Sequence, residues 1–152
     1  MSDAFVYNGF DIPAFQAPAY GYTSVLVHKG QAWVSGSVPK TGDSDLHPGK
    51  VGADVTVDQA KEAAELSLRN ALASLSQAIN GLDNVEQMLK ITVFVASAPG
   101  FHQQPRVADA ATNLLRAILG DRGHHARSAV GVAELPRNSC VEIELIAAVR
   151  HP

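Results

Sequence analysis

From residue 56 to residue 80 the apolar positions fall three and four apart: Ala60, Ala63, Ala64, Leu68, Ala71, Leu72, Leu75 and Ile79. Polar Gln59, Lys61, Glu62, Arg69 and Asn70 largely fill the remainder. That is the period of an amphipathic helix, so the spacing predicts a helix over 57–80 with one stripe against a core. Thr56 or Asp58 can cap its start, and Gly81 after Asn80 signals its end. The many alanines allow this helix to approach a sheet closely. A second stripe, Val107, Ala110, Ala111, Leu114, Leu115 and Ile118, predicts a helix from about His102 or Gln104 to Leu119. Pro105 is tolerable only in its first turn, and Gly120 stops it.

Elsewhere the pattern is that of strands. Residues 22–27 and 32–38 flank a Lys29–Gly30 turn signal and read as a hairpin. Residues 89–96, nearly continuous in apolar side chains, read as a central strand. Residues 128–133 and 140–149 read as two more, joined by a turn over 135–138. Residues 1–21, with Phe5, Tyr7, Phe10, Phe15 and Tyr20 among Gly and Pro, read as an irregular arm packed by its rings. Residues 39–54 form a glycine-rich loop longer than most, and they match neither a calcium loop nor a phosphate loop. A hairpin followed by helix, strand, helix and strands predicts an α/β (α+β) fold: one mixed sheet with both helices on one face. The other face then needs cover. The arm can supply only part of it, so self-association is expected.

The chain has 152 residues, 46% of them apolar, which suits a single domain over 1–152 with a core that needs no disulfides. Its one cysteine, Cys140, excludes an internal disulfide framework and points to a buried, reduced thiol. The formal charge is −3 without a basic block, which argues against a large nucleic-acid footprint. No apolar run is long enough for a membrane span, and the start of the chain does not read as a signal peptide, so a cytoplasmic location is expected.

Candidate chemistry gathers toward the end of the chain. Arg127 opens the 128–133 strand, and a guanidinium there is either structural or a planar, permanently charged fork for a carboxylate. Glu142 and Glu144 share one strand face, opposite Val141, Ile143 and Leu145. Either glutamate could hold a water or take up a proton, and the alternation equally suits a plain solvent face. Gly36, inside a strand pattern, marks a bulge or a close approach by backbone or ligand. His124–His125 has no third ligand at metal spacing, so neither a metal nor any other cofactor is expected.

The segment RSAVGVAELPRNSCVEIE resembles the closing signature of the Rid family, the YjgF-like proteins also labelled endoribonuclease L-PSP. AWVSGSVP and KITVFV are similar to further family segments, in the family's order, so the resemblance covers the chain from about residue 18. It implies a chorismate-mutase-like α/β domain, usually a homotrimer with sites in clefts between subunits. It also implies hydrolysis of reactive 2-imino and enamine acids to 2-oxo acids and ammonia. By position in the motif, the carboxylate-gripping arginine falls on Arg127 and the water-handling carboxylate on Glu142. The glycine before the strand-end proline segment falls on Gly36, and the 97–100 loop, with Ser97, adds hydrogen bonds. Three positions depart from deaminase-active members. Thr23 stands for a tyrosine, and Tyr22 beside it could supply the phenol only with a one-residue register shift that turns its ring to the other face; Pro99 stands for an asparagine, and Ala129 for a cysteine. The resemblance leaves two other readings open: a non-catalytic module that binds a carboxylate metabolite, and a ribonuclease.

Overall fold

The computed structural model describes residues 3–150. Among the described residues, nine strands and two long helices are arranged in two layers. β1 (Phe5–Tyr7) and β2 (Phe10–Ile12) form a small hairpin, then β3 (Val25–His28) and β4 (Gln31–Ser37) a second. β5 (Lys40–Thr41) and β6 (Ser44–Asp45) are a two-residue ladder inside the long loop. α1 (Val57–Ile79), β7 (Val85–Ala96), α2 (Gln104–Leu119), β8 (Ala126–Val132) and β9 (Val141–Val149) follow. The main sheet has the order β3-β4-β9-β7-β8, antiparallel except for the parallel β7–β8 pair.

α1 starts where its capping chemistry says it should. Thr56 accepts from the backbone N–H of Gln59, and the Gln59 side chain accepts from the Thr56 N–H, a reciprocal capping box. Its end is a left-handed Asn80, at φ 59°, with Gly81 next at φ 115°. The alanine stripe lies flat on the sheet: Ala60, Ala63, Ala64 and Ala71 are fully buried beside Leu68, Leu72 and Leu75. α2 packs beside α1 and over β7 and β8. From the sheet, Val34, Ile91, Val93, Val95, Val141, Ile143 and Leu145 point into the same core. Alternation on β9 therefore assigns the odd positions to the helices and Glu142, Glu144 and Ile146 to the opposite face.

Two expectations need correction. The arm is not irregular throughout: Asn8 and Gly9, both at positive φ, turn the β1–β2 hairpin, while residues 13–21 form neither helix nor strand. Nor does that hairpin cover the open sheet face. Ile12 is buried in the helix-side core, Arg69 of α1 donates to the Asp11 carbonyl, and Asn8 donates to the Ile118 carbonyl of α2 at 2.9 Å. Tyr7 completes the anchor, donating to Asp83 at 2.7 Å and accepting from Arg122 at 2.8 Å. The open face consequently shows Leu26, Trp33 and Val130 to solvent.

The long loop is tied down rather than free. Val51 and Val55 are buried, and Val51 exchanges backbone hydrogen bonds with Ala96 and Ala98 at 2.8 and 3.0 Å. Arg137, itself at φ 62°, grips both carboxylate oxygens of Asp45 at 2.7 and 2.9 Å, fastening the loop to the turn between β8 and β9.

Candidate functional site

Between Val34 and Ser37 the β4–β9 register slips: β4 advances three residues while β9 advances from Leu145 to Ile143, two. The extra residue is a bulge, and it brings the Gly36 backbone down over Glu142. A Cβ on Gly36 would stand 2.1 Å from Glu142 Oε1 and 2.8 Å from its Cδ. A side chain at position 36 would have to displace the carboxylate beneath it. Glu142 is half-buried on the open face, opposite Phe94 of β7. Burial pushes its pKa above the ordinary glutamate value, and the neighbouring Glu144 charge pushes it the same way.

Beside this pair the open face carries a depression of about 450 Å³. Leu26, Trp33 and Ile146 give it apolar walls, and Thr23, Ser35, Lys90, Thr92 and Glu144 give it polar ones. Lys90 donates to Ser128 Oγ at 3.0 Å across the β7–β8 pair. Thr23, where the resemblance expects a phenol, lies in this wall. Tyr22 does not substitute for it within one chain: its ring is exposed and stacked on Tyr20, centroids 6.4 Å apart.

Arg127 lies elsewhere. In the parallel β7–β8 register it pairs with Ile91, whose side chain is fully buried under the helices. Residues paired in this way project from the same side of the sheet, so Arg127 points to the helix side. There its Nη1 donates to Asp109 Oδ1 at 2.9 Å and to Thr112 Oγ1 at 3.1 Å, both on α2. Glu142 sits on the opposite side, in the row of Phe94, three residues along from the row of Ile91 and two strands across from β8. Strand rise and spacing put the two Cα atoms on the order of 14 Å apart. A single chain does not bring Arg127 and Glu142 together.

Ser97 is a third location, at the far end of β8. Its hydroxyl donates to the Val95 carbonyl at 2.8 Å and accepts from Gln104 Nε2 at 3.2 Å. A Cβ on Gly131 would stand 3.0 Å from that hydroxyl, so this corner is tightly packed. Of the residues expected at the site, only Gly36 and Glu142 meet. The sequence reading missed Asp109, Thr112 and His125 around Arg127. Asp109 and Thr112 are three apart on α2, the spacing that puts two residues on one helix face. Lys90 and Trp33 were also missed, because strand alternation alone does not say which face stays open. Among the described residues, no group of three or more His, Cys, Asp or Glu side chains could hold a metal ion.

Two helices on one face of a mixed sheet, with a glutamate under a glycine bulge on the other, define a YjgF-like α+β domain. The chain is placed more narrowly by its relatives: a family model described as Endoribonuclease L-PSP matches residues 14–149, and the chain belongs to that family. A Trypanosoma cruzi protein named TCP17 is 35% identical over 144 residues, covering 94% of this chain and 90% of TCP17. AldR of Lactococcus lactis, named as a candidate regulator, is 30% identical over 140 residues, covering 92% and 94% of the two chains. A crystal structure of an Agrobacterium tumefaciens protein of unknown function superposes with a TM-score of 0.87 at 38% identity, covering 93% of this chain and 87% of that one.

Proposed function

We propose that this protein hydrolyses small, reactive 2-imino and enamine acids to 2-oxo acids and ammonia, in clefts that two copies complete. The observation that carries the reading is the pose of Arg127. Both of its hydrogen bonds leave from Nη1, so the Nε–Nη2 edge of the fork is engaged by neither. That edge matches a carboxylate bidentately. Family membership supports a small-molecule deaminase or regulatory role.

In this reading Arg127 of one copy holds the substrate carboxylate, and Glu142 of a neighbour faces the C=N carbon through a water. The neighbour is needed because the two side chains leave opposite sides of the sheet. Water oxygen bonds to carbon, and the C=N π pair moves to nitrogen. Glu142 accepts the water proton and returns it to nitrogen. Glu142 then takes the carbinol O–H proton and passes it to the amine nitrogen; as the C–N bond breaks, ammonia leaves and the carbinol oxygen becomes the ketone. Burial and then Glu144 raise the Glu142 pKa, the direction that makes its carboxylate a better proton acceptor. Imines hydrolyse readily, so positioning and electrostatics suffice. The exposed Leu26 and Trp33 would be covered by the same association, a homotrimer in this proposal. Among the described residues no helix is long and apolar enough to cross a membrane. The proposed setting is the cytoplasm, where the lone buried Cys140 stays reduced.

A second reading is binding without turnover. The Thr23, Pro99 and Ala129 replacements support it, and so does the regulator name given to AldR. Ribonuclease activity finds little support in a chain of net charge −3. The test is to generate 2-iminopropionate in situ and time its decay. Wild type should accelerate it, and Arg127→Ala should lose roughly 100-fold or more of that acceleration. Equal rates for wild type and variant would discard the deaminase assignment. Tight 2-oxo acid binding with no acceleration would select the second reading.

A further inference from the structure

Around Arg127 the hydrogen-bond donors and acceptors can be assigned one by one. His125 Nδ1 lies 2.6 Å from the Gly123 carbonyl oxygen, which can only accept, so Nδ1 carries a hydrogen. In the neutral ring Nε2 is then an acceptor. Its neighbour at 3.0 Å is Thr112 Oγ1, so the threonine hydroxyl donates to it. With its hydrogen committed, Thr112 Oγ1 presents lone pairs to Arg127 Nη1 at 3.1 Å. The second hydrogen on Nη1 goes to Asp109 Oδ1 at 2.9 Å. Every donor in the chain from Gly123 to Asp109 has one acceptor, and Nη1 is saturated.

The loop bearing His125 is itself pinned. Gln87 of β7 donates to the His124 carbonyl at 2.7 Å and to the Arg122 carbonyl at 3.2 Å. The imidazole is therefore held from the sheet, the threonine from α2, and the arginine from β8.

We propose that Thr112 and His125 are positioning residues for Arg127: together they orient the guanidinium so that its Nε–Nη2 edge faces a ligand carboxylate. This deepens, and rests on, the reading of Arg127 as a carboxylate clamp. The relay depends on the ring being neutral. A proton on Nε2 would take over the lone pair side of Thr112, force its hydroxyl hydrogen to a new acceptor and loosen Arg127. The charged groups around the ring oppose that proton. Arg116 faces it from α2, Arg127 from β8 and His124 from its own loop, while Asp109 beyond Arg127 is the nearest acidic side chain named in the relay. Burial is the larger cause, and it also holds the His125 pKa below the ordinary histidine value.

The experiment follows the Arg127 Nε–H signal by NMR in the assembled protein, with and without pyruvate as the carboxylate probe, in wild type, Thr112→Val, Thr112→Ser and Arg127→Ala. Thr112→Val should bind pyruvate about tenfold more weakly, the effect of one hydrogen bond to a charged group, and Thr112→Ser should restore it. Without pyruvate, the wild-type signal should shift on acidification below the ordinary histidine range, and Thr112→Val should abolish that pH response. A Thr112→Val protein with wild-type affinity and an unaltered Arg127 signal would overturn the positioning role while leaving the clamp in place. Wild-type pyruvate binding in Arg127→Ala, or no binding by wild type, would instead remove the clamp. The ligand-free pH response would then decide the positioning role alone.

Discussion

Glu142 and Gly36 behave as one unit at the level of single residues. A methyl group at position 36 would collide with the carboxylate below it. Gly36→Ala should cost about 1–3 kcal/mol of stability by overpacking, measured by denaturant unfolding, and lower any Glu142-dependent activity. The pH dependence of Glu142 has a definite sign. Its folded pKa is raised above the unfolded value by burial and then by Glu144. Its contribution to stability is therefore present in full below the unfolded pKa and is lost as pH rises through the folded one. Glu142→Gln should melt higher than wild type at neutral pH, and the difference should vanish in acid; thermal unfolding across that range reads it. Cys140 is the opposite kind of residue. Buried, with its pKa pushed up to about 11, it should not react with thiol reagents at neutral pH until the protein unfolds.

Among the elements, α1 shows how far the residue pattern reaches. Its stripe and its end at Asn80–Gly81 follow from the chain, and of the two capping candidates Thr56 is the one used, because helical period and capping are local. Removing the Thr56 hydroxyl by Thr56→Ala should cost about 1 kcal/mol, seen as a fall of roughly 2–4 °C in Tm. β7 and β9 were legible for the same reason, though β7 begins at Val85 rather than near Leu89. The face on which Arg127 lies was not legible. It depends on the parallel register with β7, a non-local fact, and strand alternation in β8 alone allows either face. The β1–β2 hairpin had a local signal in Asn8–Gly9, masked by the proline and glycine content around it. Motif order identified Gly36 with Glu142. It did not show that Arg127 and Ser97 occupy separate corners, because sequence spacing says nothing of which strands become neighbours.

For the whole molecule, the proposed self-association would account at once for the uncovered sheet face and the separated side chains. Leu26 and Trp33 remain 61% and 49% exposed, a wasteful arrangement for a lone domain. If the proposed association covers this face, Trp33→Glu should dissociate it, read by sedimentation, and remove the proposed hydrolysis with it. The measurement closest to the central proposal uses two inactive variants. Arg127→Ala and Glu142→Gln chains would be mixed, dissociated and reassembled, and 2-iminopropionate hydrolysis timed before and after. If a cleft takes Arg127 from one copy and Glu142 from another, random mixing should restore roughly one quarter of the wild-type sites in a cyclic assembly. Activity that stays at the level of the separate variants, with subunit exchange verified, would contradict a shared site.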